Sequence, residues 1–252
     1  MVTLHPTLPF ISQPDPFSLR KRENGLMRRL IQAATLLTLS LALSSTLAQT
    51  SNLSADDIAG KVEAAQKNLK DFSVHINGSA SLEGGTQKID LEVSSIPLSS
   101  LTRIVFNAPD ALADNILILD KSTVSNYLYL TNQVTVAPAA KSKVDGFSFD
   151  FTRLTDATVS LSRTDFKLKL LETQNVAGGK AYLLEAIPRQ DLGVSKTRIL
   201  VGENGWKVLK LQALDPQGKV VTDLNFSSWK FNSGLKSADL KKLPRDAQVI
   251  KR

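Results

Sequence analysis

From Lys70 onward the chain alternates. Phe72, Val74, Ile76, Gly78, Ala80 and Leu82 share one parity, while Ser73, His75, Asn77, Ser79, Ser81 and Glu83 share the other. A period of two predicts a long half-buried antiparallel strand or strand pair. The "EGG" at 83–85 turns the chain, after which Ile89, Leu91 and Val93 resume the inward series against Lys88, Asp90 and Glu92. The same grammar recurs in "RIVF", "NILIL", "NYLYL", "FKLKLL", "AYLLEAI", "TRILV", "WKVLKLQAL" and "KVVTDLNF". Between these runs, Gly178-Gly179, Asn204-Gly205 and Asp215-Pro216-Gln217-Gly218 suit hairpin turns.

One segment before the alternation has a helical period instead. Ser54 is a suitable N-cap, Asp56 and Asp57 fall in the first turn, where the helix dipole favours them, and Ile58, Val62, Ala65 and Leu69 recur along one face. The spacing predicts a helix of about 16 residues with one apolar stripe to cover. Residues 140–158 fit neither template and are read as helical or irregular. Within them Phe147, Phe149 and Phe151 alternate with Gly146, Ser148 and Asp150, an apolar comb that either packs into the core or closes a cavity as a flap.

The elements sum to an α+β, mainly antiparallel β chain: one N-terminal helix, then a meander of roughly nine to eleven strands. A sheet of that size curls, and curling around a helix makes it an incomplete, half-open β-barrel. A two-layer β-sandwich is the alternative. The runs Ile116–Leu119 and Tyr127–Leu130 bear on the choice, because they have almost no polar face and both sides must be covered.

The first 48 residues do not follow this grammar. From Met27 the chain carries two arginines, an apolar run from Leu30 to Leu43, and then Thr46 and Ala48 at the −3 and −1 positions of a cleavage site. This is the layout of a secretory signal peptide, and the run is short of the ~20 residues that a membrane-spanning helix needs. Residues 1–26 read as an overlong n-region or a misplaced start, with Met27 the better initiator. Residues 49–252 then form a single domain. The leader holds five basic and two acidic residues, so the formal charge of +7 for all 252 residues falls to +4 for the remainder. That modest excess argues against nucleic acid as a partner. The absence of cysteine excludes a disulfide scaffold and a lipidated-cysteine anchor, so the expected location is the periplasm, as a soluble monomer.

Catalytic chemistry has little to rest on. Beyond the leader, His75 is the one histidine, and it lies on the polar parity of the first strand. A zinc site has no cysteine and no second histidine to draw on, and neither a nucleophile elbow nor a phosphate-binding glycine loop is present. The chain is read as a non-enzyme with no metal and no cofactor. The closing "LKKLPRDAQVIKR" reads as a solvated basic tail.

The stretch "TRIVFNAPDALADNILILDKSTVSNYLYLTNQVTV" resembles the LolA-like periplasmic lipoprotein carrier family, whose superfamily includes LolB, RseB and mycobacterial lipid-transfer lipoproteins. The matching parts are Arg103, Val105, Phe106, Pro109, Ile116 to Leu119, Asp120, Tyr127 to Leu130, and Gln133-Val134. "LKDFSVHINGSA", "LDPQGKVVTDLNFSSWKFN" and the closing segment extend the likeness over residues 53–252. The family's "D-G-K" turn is replaced by Asp120-Lys121-Ser122-Thr123, and its basic residue before a proline has Arg103 as the nearest counterpart.

The resemblance implies a half-open barrel wrapped around N-terminal and lid helices, enclosing an apolar cavity for acyl chains of lipoproteins or other lipids. Ile89, Leu91, Val93, Ile104, Phe106, Ile116, Ile118, Leu128, Leu130, Phe147, Phe149 and Phe151 are then cavity or lid residues, and Arg103 is a closed-state or headgroup contact. An inner-membrane transporter as donor and an outer-membrane acceptor are the implied partners. The alternative within the superfamily is a lipid-responsive sensor or protein-interaction module of RseB type.

Overall fold

The computed structural model describes residues 53–82, 85–139, 161, 164–190 and 194–251. The leader, the 140–158 stretch and the comb of Phe147, Phe149 and Phe151 lie outside the described residues. Residues Asn52–Arg252 make up one compact unit.

Helix α1 spans Ala55–Lys67 and opens as its sequence dictates. The Ser54 hydroxyl accepts from the Asp57 amide at 3.1 Å while the Asp57 carboxylate accepts from the Ser54 amide at 3.0 Å, a reciprocal capping box. The strands follow in order: β1 Phe72–Leu82, β2 Gly85–Ile96, β3 Leu101–Ala108, β4 Ile116–Leu119, β5 Thr123–Leu128 and β6 Gln133–Pro138. The second run is β7 Phe166–Val176, β8 Gly179–Pro188, β9 Lys196–Gly202, β10 Lys207–Leu214 and β11 Val220–Phe231. A short helix α2, Ser237–Leu240, and a final strand β12, Gln248–Lys251, complete the described chain.

All twelve strands form one sheet, in the order β12-β6-β5-β4-β3-β2-β1-β11-β10-β9-β8-β7. Two antiparallel meanders, β1–β6 and β7–β11, are zipped together at the centre by the β1–β11 pair. Laid flat, eleven strand spacings would span about 50 Å, whereas a 13-residue helix is about 20 Å long. Yet α1 shares one buried cluster with residues of β1–β5 and β8–β11, and Phe166, Leu168 and Leu170 of β7 pack against it. The sheet therefore curls around the helix without closing, leaving β7 and β12 as its two edges. This open barrel is the architecture expected from the sequence, with twelve strands among the described residues where roughly nine to eleven were expected.

The extra strand comes from the segment read as a solvated tail. After β11 the chain crosses the outer face of the sheet and pairs β12 parallel to β6, with Val249 opposite Val134. Along that path Leu235, Leu240 and Leu243 cover Leu101, Ile96, Ile116 and Ile118. The crossing strap is fastened at its start by Asp71. That carboxylate accepts from the Ser233 amide at 2.7 Å, the Ser233 hydroxyl at 2.9 Å and the Gly234 amide at 3.0 Å.

Candidate functional site

The apolar stripe of α1 divides along its length. Ile58, Ala59 and Val62 are buried in the main core, and from Val62 onward the stripe faces an open pocket. Val62, Ala65, Gln66 and Leu69 form one wall, and Trp206, Lys207, Val208, Trp229 and Phe231 form the other. The space, including its opening to solvent, is about 390 Å³ and its lining is predominantly apolar. The space within it that a water-sized sphere can occupy is about 50 Å³, well below the roughly 300–1,000 Å³ of small-ligand sites, so a chain-like ligand would need the pocket to widen.

Two backbone features bring the aromatic side chains there. In the β1–β11 pairing, Ser227 and Lys230 face His75 and Ser73, so two residues of β11 oppose Val74 alone. This is a β-bulge, with Ser228 at φ +52°. The extra residue resets the alternation. Phe226 points inward before it, and Trp229 and Phe231 do so after it, where an unbroken strand would have turned them outward. The second feature is the turn Asn204–Trp206, in which Gly205 (φ +76°) and Trp206 (φ +46°) both adopt left-handed backbone. A bulky residue in that region is uncommon, and here it aims an indole at the helix.

The rings form a connected set. Trp229 lies 6.0 Å from Phe72, 6.2 Å from Phe226 and 5.3 Å from Phe231 between ring centroids. The Trp229 indole N–H donates to the Val208 carbonyl at 2.9 Å, so its polar edge is satisfied and its ring can line an apolar space. Trp206 stacks on Tyr182 at 5.9 Å, and the Lys61 ammonium stands 5.0 Å from the Trp206 ring centre. Burial, and then the neighbouring Glu203 carboxylate, push the Tyr182 phenol above its usual range, which keeps it neutral. Both tryptophans of the chain thus line one pocket.

The residues singled out from the sequence fall into four groups. Ile89, Leu91, Val93, Ile104 and Phe106 sit on the inner face in the cluster that packs on α1, each no more than 3 % exposed. Leu128 is half-buried at the end of β5. Ile116 and Ile118 face the other way, into the cluster under the strap, and it is Leu117 and Leu119 that face the core. An "ILIL" run offers no polar position to fix its parity, so the pattern alone could not say which of its two faces meets the core. Leu130 is 84 % exposed in the turn Tyr129–Thr131 and lines no interior.

Arg103 is also on the outer face, because it alternates with Ile104. Its guanidinium donates to the carbonyls of Leu240, at 3.2 Å, and Lys242 at the end of α2, and burial pulls its pKa below the usual value. This placement takes it away from the pocket and onto the strap.

His75 occupies a polar row on the outer face. Its Nε2 lies 2.9 Å from Asp90 Oδ1, its Nδ1 3.4 Å from Ser227 Oγ, and the Asn107 amide donates to the same Asp90 oxygen at 3.0 Å. The Asn107 and His75 hydrogen bonds hold the Asp90 carboxyl below its usual range. The residue types match a hydrolase triad, but the row lies across four neighbouring strands on the face away from the pocket. Among the described residues no group of three or more His, Cys, Asp or Glu side chains could hold a metal ion. No described helix is long and apolar enough to cross a membrane.

No protein-family model matches the sequence, and no curated protein matches it. Solved structures do. An uncharacterized conserved protein from Thermus thermophilus is 25% identical, covers 79% of this chain and 99% of its own, and superposes with a TM-score of 0.57. A putative outer membrane lipoprotein-sorting protein domain from Vibrio parahaemolyticus is 15% identical over 73% of this chain and 95% of its own, with a TM-score of 0.44. A LolA superfamily protein from Nitrosomonas europaea is 11% identical over 75% and 98%, with a TM-score of 0.38. The half-open antiparallel barrel implied by the LolA-like resemblance is the fold of this chain, and the Thermus thermophilus protein shares it over nearly its whole length.

Proposed function

We propose that the protein is an envelope carrier that binds an acyl chain, of a lipoprotein or another lipid, in the pocket between α1 and β10–β11. The observation that carries this reading is the change in the α1 stripe from core to open pocket at Val62, opposite a wall containing both tryptophans. Behind the pocket, Ile89, Leu91, Val93, Ile104 and Phe106 pack on the same helix, so an outward movement of α1 would extend the pocket into an apolar interior. The leader would direct export, residues 49–252 would be the working domain in the periplasm, and partner proteins would supply and receive the cargo.

The energetics favour partial burial. At about 0.8 kcal/mol per CH₂, two or three fully buried acyl chains would exceed the ceiling of reversible affinity. A pocket that covers part of a chain and stays open to solvent avoids that trap and leaves the ligand free to be handed on.

The test uses a fluorescent acyl probe and Ala65→Trp, which puts bulk into the pocket from a helical position without touching the core. The reading predicts at least a tenfold loss of affinity, about 1.4 kcal/mol, at an unchanged melting temperature. Undiminished binding by the folded variant would place the acyl site elsewhere.

A further inference from the structure

The pocket wall is apolar, but its polar members are of one kind. Gln66 and Lys207 are the side chains with polar heads among the lining residues, and no carboxylate is among them. Lys61, one turn before Ala65, adds a second ammonium over the Trp206 ring. Neither Lys61 nor Lys207 forms an ion pair among the described residues. The nearest acid on the same turn, Glu203, is engaged by the Tyr182 hydroxyl at 3.4 Å. An apolar lining that carries Lys207 and Gln66, with the Lys61 ammonium over the neighbouring Trp206 ring, suits a ligand with an apolar chain and a negative head.

We infer that this pocket selects an amphiphile with a single apolar chain and an anionic head, the chain lying on Val62, Leu69, Val208 and Trp229 and the head meeting Lys207, Gln66 and Lys61. The inference rests on the acyl-binding reading above and adds the charge of the ligand to it. A charged hydrogen bond at a half-covered site is worth more than a neutral one, and it is weakened by salt because the rim is wet. A carboxylate and a phosphate share the chemistry, and the free head, not the chain, then sets preference.

The experiment titrates the full-length protein with dodecanoate, dodecyl phosphate and 1-dodecanol below their aggregation limits, with tryptophan emission as the readout. The chain length is constant, so differences report the head alone. The expected result is that one or both anions bind about tenfold more tightly than the alcohol. Which anion binds better distinguishes a carboxylate from a phosphate source. In Lys61→Gln/Lys207→Gln the gap should shrink to about twofold because the anions lose more affinity than the alcohol does, and 0.5 M salt should narrow it in the wild type. Equal binding of all three ligands by the wild type would overturn the inference while leaving the acyl pocket standing. Binding of none would overturn both.

Discussion

Trp229 and Val208 join β11 to β10 at the pocket floor through one hydrogen bond, indole Nε1 to carbonyl oxygen at 2.9 Å. The bond fixes the ring plane that also meets Phe72, Phe226 and Phe231. Trp229→Phe keeps an aromatic ring but leaves the Val208 carbonyl without this donor. The expected cost is on the order of 1–2 kcal/mol, read as a lowered urea midpoint at constant slope. A midpoint equal to that of the wild type would mean that the bond contributes nothing.

Gly78 and Asp223 set a tighter constraint. A Cβ placed on Gly78, whose φ is +153°, would lie 1.9 Å from the Asp223 carbonyl oxygen on β11, and that atom is backbone that no rotamer change can remove. Gly78→Ala should therefore destabilise by well over the ~1 kcal/mol of an average substitution, because it forces apart the β1–β11 pair that unites the two meanders. Thermal unfolding of the purified variant measures this, and a melting temperature within a degree of wild type would refute it.

Much of this was legible in the sequence because it is local. The Ser54 cap, the α1 stripe and the alternation of β1 and β2 each depend on neighbours within a few residues, and each lies where the pattern puts it, except that α1 runs for 13 residues, not about 16, and leaves Leu69 beyond its end. The bulge at Ser228 was also written there, as the change of step from Leu224 and Phe226 to Trp229 and Phe231, but a parity break reads equally as a strand end. The pocket was missed for that reason, and because Trp206 reaches it from a turn. The strap was illegible for another: Arg103 meets Leu240 across 137 positions, and three spaced leucines in a basic segment look like a tail until the sheet's outer face is known.

The strap makes its own prediction. Arg103 donates to two carbonyls at the end of α2, and a charge-assisted bond to a half-buried carbonyl is worth about 1.5–3 kcal/mol. Arg103→Met retains the stem and loses both donors. Limited trypsin digestion should then cut after Lys241 or Lys242 well before the barrel is degraded, and mass spectrometry of the fragments would locate the cut. Equal protection in the variant and the wild type would show that the leucines alone hold the strap.

Acid should loosen the same segment. Burial pushes the Asp71 carboxyl up, but the Ser233 hydroxyl and the amides of Ser233, Gly234 and Leu235 outweigh it, and the net pKa lies below the usual carboxylate value. A folded-state pKa below the unfolded one contributes stability that is fully present above the unfolded pKa, about 4, and is lost as pH falls through the folded value. The Lys241 ammonium lowers Asp120 in the same sense, at the other end of the strap. Urea unfolding at pH 7 and pH 3 should show wild-type stability falling with acid and Asp71→Asn falling less, from a lower start at pH 7. Parallel pH curves for the two proteins would show that Asp71 has no part in the acid response.

The central claim is that an acyl-bearing ligand occupies the pocket between α1 and the wall of Trp206, Trp229 and Phe231. Native mass spectrometry of the full chain, expressed with its own leader in a bacterial host and followed by lipid extraction, addresses it most directly. The expected result is a bound species above the protein mass that resolves to an acyl-bearing molecule, and its loss from folded Ala65→Trp. A protein that emerges free of lipid under gentle conditions, and whose tryptophan emission does not respond to added acyl ligand, would contradict it.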